Sequence, residues 1–85
     1  MKMLKPMRFN DIVENMMWMG DIRKVRVAIG KDFGKYGVYV VAENKQFYKF
    51  FLVAEYDDVE SAKKTAENTF QNVKMHYTYR AEKWF

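Results

Sequence analysis

The sequence contains no cysteine, a single proline and a single histidine, and these scarcities exclude several classes of protein. Without cysteine, the chain can form neither a disulfide framework nor a thiolate metal site. No apolar run approaches the roughly 20 residues that a membrane-spanning helix needs. Since 49% of the 85 residues are apolar, the chain has the composition of one small globular domain. We therefore expect a cytoplasmic protein that does not associate with a membrane.

The beginning of the chain differs in character from the rest. Residues 1–8 carry charge and contain no apolar segment of about 7–15 residues, which a secretion signal would require. We interpret residues 1–8 as a disordered lead-in and residues 9–85 as the domain. The net charge is +4, from 15 basic and 11 acidic side chains. A positive balance favours acidic partners, including nucleic acid.

Hydrophobic periodicity predicts an α+β fold in which a helix, three antiparallel strands and a long helix follow one another. The helices are predicted at 10–19 and 58–80, and the strands at 22–30, 37–43 and 46–54. Asn10 is the predicted cap of the first helix and either Asp57 or Asp58 that of the second, and Asn44-Lys45 is a predicted tight turn. Both helices are expected to cover the same face of the sheet.

The end of the chain allows a second interpretation. An apolar stripe that ends in Val73, Tyr77 and Trp84 favours helix to residue 80, with Trp84 on the core side. Alternatively, the helix ends near Asn72 and a fourth strand occupies 74–80, where aromatic residues alternate.

The groups that could perform catalysis are few and far apart. His76, the only histidine, has no carboxylate at the neighbouring helical positions, and Ser61, the only serine, lies fifteen residues away on the same helix. Asp57, Asp58 and Glu60 begin a helix, where the helix dipole already favours acidic residues. We therefore predict no enzymatic activity, no catalytic residue, no metal site and no cofactor.

A glycine-rich segment, Gly30–Gly37, has the glycine density of a phosphate-binding loop. It lacks the Gly-Lys-Ser/Thr ending of such loops, and no helix follows it. We interpret it as a hairpin loop in which Lys31 and Lys35 are candidate contacts for an anionic partner.

The main functional signal is the division of the strand residues between two faces. The first face is predicted to hold Val25, Val27, Ile29, Val38, Val40, Tyr48, Phe50 and Leu52. The second face is predicted to hold Lys24, Arg26, Tyr39, Val41, Phe47, Lys49, Phe51 and Val53. A small domain has one core, so we expect the second face to be uncovered, although it is too apolar for a surface that meets only water. The alternative is that the helices cover the second face and leave the first exposed.

These residues predict a binding surface. The predicted partner-binding residues are Lys24, Arg26, Tyr39, Phe47, Lys49, Phe51 and Trp18. The rings would anchor the partner, the basic groups would orient an acidic protein surface, and Trp18 is a further anchor on the polar side of the first helix. Aromatic rings beside cations also resemble a platform for bases and phosphates, so nucleic acid is the alternative partner. A homodimer would cover the same face.

Two family resemblances involve the start of the second helix. The segment Asp58-Val59-Glu60-Ser61-Ala62-Lys63-Lys64-Thr65-Ala66-Glu67 is similar to one that follows a short antiparallel sheet in small phage-encoded accessory proteins. That resemblance implies a viral protein without enzymatic activity, which inhibits or adapts host or competitor machinery in the host cytoplasm. The order of elements and the run Ser61-Ala62-Lys63-Lys64-Thr65-Ala66 also resemble double-stranded-RNA-binding domains, which implies an RNA partner.

Overall fold

The computed structural model describes residues 4–85 as two layers, a four-stranded sheet and a layer of two helices. The helices are α1 (Phe9–Trp18) and α2 (Val59–His76), and the strands are β1 (Lys24–Asp32), β2 (Lys35–Glu43), β3 (Tyr48–Tyr56) and β4 (Ala81–Trp84). The first three strands form an antiparallel meander, β4 lies parallel to β1, and the strand order is β3-β2-β1-β4. The predicted α+β architecture is confirmed, with a fourth strand added.

The fourth strand corrects the prediction for the end of the chain. α2 ends at His76 and does not continue to residue 80, and the fourth strand occupies 81–84 instead of 74–80. Without it, β1 would present a row of unpaired backbone groups at the edge of the sheet. β4 pairs with β1 from Val25↔Ala81 to Ala28↔Trp84. Trp84 therefore belongs to a strand and not to the core stripe of a helix.

The core lies between the helices and one face of the sheet. It is formed by Ile12 and Met16 of α1, Val25 and Val27 of β1, Val38, Val40 and Ala42 of β2, Phe51 of β3, and Ala62, Ala66 and Val73 of α2. Fully burying a side chain of valine or isoleucine size contributes about 1.5–3 kcal/mol relative to leaving it in water. Because both helices contribute to this one cluster, they leave the other face of the sheet without a helix.

The two helices begin differently. α2 starts after Asp58, whose Oδ2 accepts a hydrogen bond of 2.8 Å from the Ser61 N–H. This bond satisfies a free amide of the first turn and holds the pKa of the Asp58 carboxyl below its ordinary value. α1 begins after Arg8, so Asn10, the predicted cap, lies inside the first turn.

The segment before α1 contacts the sheet. Of the predicted lead-in, residues 1–3 lie outside the described part of the chain. Met7 donates its N–H to the carbonyl of Leu52 over 2.8 Å, and its side chain packs against the core. This contact lies at the free edge of β3, where it pairs one backbone group that would otherwise face solvent.

The hairpin between β1 and β2 is tighter than predicted. The strands extend through Gly30 and Gly37, and the connection contains only Phe33 and Gly34. Both residues have positive φ, +51° and +77°, as a type I′ turn requires. Glycine adopts this conformation freely, whereas a phenylalanine there is strained.

Replacing Phe33 with asparagine should therefore stabilise the protein by about 0.5–1 kcal/mol, because Asn tolerates the left-handed region and Asn-Gly is favoured in this turn. The measurement is the midpoint of urea unfolding. Phe33→Val is the control, since a β-branched residue at positive φ should lower the midpoint. A midpoint for Phe33→Asn at or below that of the wild type would contradict this account of the turn.

Candidate partner-binding face

The side of the sheet opposite the helices has an apolar centre and carries no helix. We call it the open face. Its side chains are those of Lys24, Arg26, Ala28, Asp32, Lys35, Tyr39, Val41, Glu43, Tyr48, Phe50, Leu52, Glu55, Glu82 and Trp84. Tyr48, Phe50 and Trp84 leave 63%, 48% and 59% of their surfaces exposed. Three large rings therefore meet solvent on one face of one sheet.

Two neighbouring depressions shape this face. One has a volume of about 290 Å³ and lies between Tyr48 and Trp84, and the other has a volume of about 380 Å³ and lies beside Tyr39. Both are lined by Ala28, Val41 and Phe50, so the Phe50 ring stands where they meet. Because the side chain of Ala28 is small, the surface is recessed at the base of both depressions. The open face thus offers both protruding rings and hollows that could accept a ring.

The turn between β2 and β3 decides which rings reach this face. Asn44 Oδ1 accepts hydrogen bonds from the N–H groups of Gln46 and Phe47, both at 2.9 Å, and closes a four-residue connection. Glu43 is then paired with Tyr48, and the ladder continues with Val41 opposite Phe50 and Val40 opposite Phe51. Directly opposed residues of an antiparallel pair share one face of the sheet.

The prediction for β3 was therefore wrong in its choice of face. Phe51, a predicted anchor, is 2% exposed and belongs to the core. Lys49 is opposite the buried Ala42, on the side of the helices, with its Nζ 5.6 Å from the centre of the Phe51 ring. Tyr48 and Phe50 take the places that the prediction gave to these two residues.

The other predicted binding residues lie in three places. Lys24, Arg26 and Tyr39 lie on the open face as expected. Phe47 lies in the turn before β3. Trp18 is 85% exposed, but it belongs to α1, on the opposite side of the sheet. The structure thus brings three of the seven residues together.

Sequence analysis missed Trp84 and Glu82 as members of this face. The signal for Trp84 was the spacing of seven residues between Tyr77 and Trp84 in the proposed helical stripe, where steps of three or four are expected. In β4 the alternation of a strand places Glu82 and Trp84 on the open face. Lys83 points the other way, with its Nζ 2.6 Å from Glu67 Oε2 of α2.

Tyr39 lies flat across a pair of glycines. Gly30 and Gly37 are directly opposed in the β1–β2 ladder. A Cβ atom built on Gly37 would lie 2.8 Å from Tyr39 Cε2, and one on Gly30 would lie 3.2 Å from the same atom. The burial of this ring raises the pKa of the Tyr39 hydroxyl, and the charges of Asp32 and Glu55 raise it further. Because neither glycine has a Cβ atom, the Tyr39 ring can lie close to the backbone of the open face.

Replacing Gly37 with alanine should destabilise the protein by about 1–3 kcal/mol, because the added methyl group overlaps the Tyr39 ring. In a Tyr39→Ala background the same replacement should be neutral or stabilising. Urea unfolding of the two single variants and the double variant measures this coupling. Equal losses of stability for Gly37→Ala in both backgrounds would show that the ring does not occupy this space.

At the end of the open face beside Trp84, the charged groups are paired with one another. Arg26 Nη1 lies 3.2 Å from Glu43 Oε1, and Arg26 Nε lies 3.5 Å from Glu82 Oε1. Lys24 Nζ lies 3.6 Å from Glu82 Oε2. The Arg26 guanidinium also lies 4.9 Å from the centre of the Trp84 ring, a cation–π distance. Two basic and two acidic side chains thus leave the end of this face beside Trp84 close to neutral.

Glu82 holds the Trp84 ring in place. The indole Nε1–H of Trp84 donates a hydrogen bond of 2.9 Å to Glu82 Oε1. This hydrogen bond lowers the pKa of the Glu82 carboxyl, and the positive charges of Lys24 and Arg26 lower it further. A carboxyl group whose pKa is lowered by folding stabilises the folded state above its ordinary pKa of 4.5 and loses this effect as the pH falls through the folded value.

Acidification should therefore release Trp84 before the protein unfolds. In a Trp18→Phe variant, which keeps Trp84 as the only tryptophan, we expect the emission to shift at a pH below the ordinary carboxyl pKa of 4.5. Circular dichroism over the same range separates this change from unfolding. Adding Glu82→Gln should abolish the pH-dependent shift of the emission. An identical shift in that second variant would show that Glu82 does not control the ring.

The two lysines predicted to contact an anion have local partners. Lys35 Nζ lies 3.0 Å from Asp57 Oδ1. Lys31 Nζ lies 5.4 Å from the centre of the Tyr36 ring. Because the glycine-rich segment is a two-residue turn between paired strands, its backbone amides are not arranged as a phosphate-binding loop.

The remaining candidate groups are also accounted for locally. The His76 ring lies 5.9 Å from the ring of Phe9. Ser61 and His76 lie fifteen residues apart on α2, which corresponds to about 22 Å along a helix. Neither α1 nor α2 has the length and apolar character that crossing a membrane requires. Among residues 4–85, no three histidine, aspartate or glutamate side chains form a group that could hold a metal ion.

Comparisons of the chain with protein-family models, with curated proteins and with solved structures found no match.

Proposed function

We propose that this chain is a small non-enzymatic binding protein that acts by covering an apolar surface of a partner protein with its open face. The observation that carries the proposal is the group of exposed rings, Tyr48, Phe50 and Trp84, around two adjoining depressions. Patches of this kind on soluble proteins commonly mark interaction sites.

The composition of the open face supports a protein as the partner. Protein interfaces are enriched in tyrosine, tryptophan, phenylalanine and arginine, and have an apolar centre with a polar rim. Here Val41 and Phe50 lie at the centre, and the ion pairs of Arg26 lie towards one end. The depression beside Trp84 is large enough to receive an aliphatic or aromatic side chain.

The partner surface that fits best is apolar and uncharged. The expectation of an acidic partner depended on Lys24, Arg26 and Lys49. The first two have carboxylate neighbours within their own chain, and Lys49 lies on the other side of the sheet. A strongly acidic partner would have to compete with Glu43 and Glu82 for these groups, which weakens its advantage.

The alternative partner, nucleic acid, has less support from this geometry. Base stacking needs exposed rings beside free cations. Phe51 is buried, and the cation nearest the exposed Trp84 ring is Arg26, which is ion-paired. Nucleic acid would be recognised by its capture and by binding that weakens as salt rises.

The separation of Ser61 and His76 on α2 supports a role without catalysis. The inhibitory or adaptor role that the resemblance to phage accessory proteins implies belongs to the same proposal. A small protein without catalytic groups can block or redirect another protein by covering the surface that it uses.

The experiment has two stages. First, a photo-crosslinking amino acid placed at Tyr48 captures the partner in native cells, with the same amino acid at Asn68, on α2, as the control position. The captured protein is then purified, and its affinity is measured by calorimetry. Phe50→Asp should weaken binding by at least about 30-fold, the effect expected of an anchor at the centre of an interface.

Phe33→Asp is the matched control, because it removes another exposed phenylalanine and adds the same charge at the hairpin tip, away from the depressions. It should leave the affinity unchanged. Equal affinities for Phe50→Asp and the wild type would overturn the proposal. Capture of nucleic acid, with binding that weakens steeply as salt rises, would favour the alternative partner.

A further inference from the structure

We propose that, when no partner is bound, the open face is covered by a second copy of the same chain in a two-fold symmetric dimer. The inference rests on the proposed function in one respect, since both use the open face. The inference goes further because the second copy of the chain would compete with a partner protein for that face.

The charges of the open face suit a copy of itself. A two-fold interface brings the same patch of both chains together, so the patch must be complementary to itself. A patch of one charge sign would repel its copy. Here Lys24 and Arg26 are balanced by Glu43 and Glu82 within the chain. At the end of the face beside Trp84, a second copy would therefore meet no uncompensated charge, while the carboxylates of Asp32 and Glu55 lie at the other end, beside Tyr39.

The shape of the open face is also self-complementary. It carries protruding rings, of which Tyr48 and Phe50 pack against each other with their centres 5.6 Å apart. It also carries the two depressions of about 290 and 380 Å³. Because protrusions and hollows lie on the same patch, a ring of one copy can enter a hollow of the other in both directions.

The size of the face is sufficient for a specific but weak dimer. Nine-residue strands are about 30 Å long, and three strands and a short fourth at spacings of about 4.8 Å span roughly 14–19 Å. The resulting flat area of about 400–550 Å² per copy rises to roughly 600 Å² per copy when side-chain relief is included. That value is the low end for a specific interface, in which both partners together bury about 1,200 Å². We therefore expect a Kd of about 1–100 µM.

The net charge of the chain gives this dimer a recognisable salt dependence. Each copy carries +4, so two copies repel each other at long range, and salt screens that repulsion over about 10 Å at 0.1 M. Dimerisation should become tighter as salt rises. Binding of an acidic protein or a nucleic acid to the same chain would become weaker.

The first test is analytical ultracentrifugation of the full chain across this concentration range. We expect a monomer–dimer equilibrium that Phe50→Asp weakens at least about 10-fold and that Phe33→Asp leaves unchanged. Circular dichroism establishes that both variants are folded. A wild-type protein that stays monomeric up to about 1 mM, or dimers unaffected by Phe50→Asp, would overturn the inference.

The second test uses the two tryptophans, which lie on opposite sides of the sheet. With Trp84 as the only tryptophan (Trp18→Phe), acrylamide quenching should fall as the concentration rises. With Trp18 as the only tryptophan (Trp84→Phe), quenching should stay constant. Protection of Trp18 in place of Trp84 would move the interface to α1 and overturn the inference.

The two proposals fail separately. A monomer whose partner binding is lost in Phe50→Asp removes the dimer and retains the docking function. A dimer weakened by Phe50→Asp, together with a captured partner that binds this variant as well as the wild type, retains the dimer and removes the docking function from this face.

Discussion

The register between β2 and β3 is the constraint on which the surface of this protein depends. Side chains alternate along a strand, so a shift of one residue would exchange every side chain of β3 between core and solvent. The Asn44 turn sets Glu43 opposite Tyr48, and this pairing buries Phe51 and exposes Phe50. The hydrophobicity of β3 cannot make this choice, because both of its faces are apolar.

The sequence nevertheless contained the information that decides this register. In an antiparallel hairpin with an even number of connecting residues, an even-numbered residue is paired with an odd-numbered one. The predicted two-residue turn at Asn44-Lys45 already obeys this rule, and so does the observed connection of four residues. Either turn places Phe51 on the side of Val38 and Val40. Alternation within a single strand shows which side chains share a face but not which face pairs with that of the next strand, so the predicted faces of β3 were exchanged.

The order and type of the elements could be predicted, since periodicities of 3.6 and 2 residues differ strongly between α2 and the strands. The end of the chain was harder, because the position of β4 depends on a neighbour distant in sequence. β4 covers the edge of β1, and no local pattern in Ala81–Trp84 reveals which edge is free. The ion pair of Arg26 with Glu82 was hidden for the same reason, since Glu82 reaches this face only through β4.

The distribution of large side chains points towards an occupant for the open face. The core-facing positions of β1 and β2 hold small residues such as Val27, Val40 and Ala42, whereas Phe50 and Trp84 stand outside. An 85-residue chain has little apolar area to spare for its own stability. Rings of this size stabilise a fold most when they are fully buried, which contributes about 1.5–3 kcal/mol each, and Phe50 and Trp84, which are 48% and 59% exposed, forgo part of that. This arrangement is physically reasonable if the exposed rings are buried in another way, and contact with a second protein surface supplies that burial.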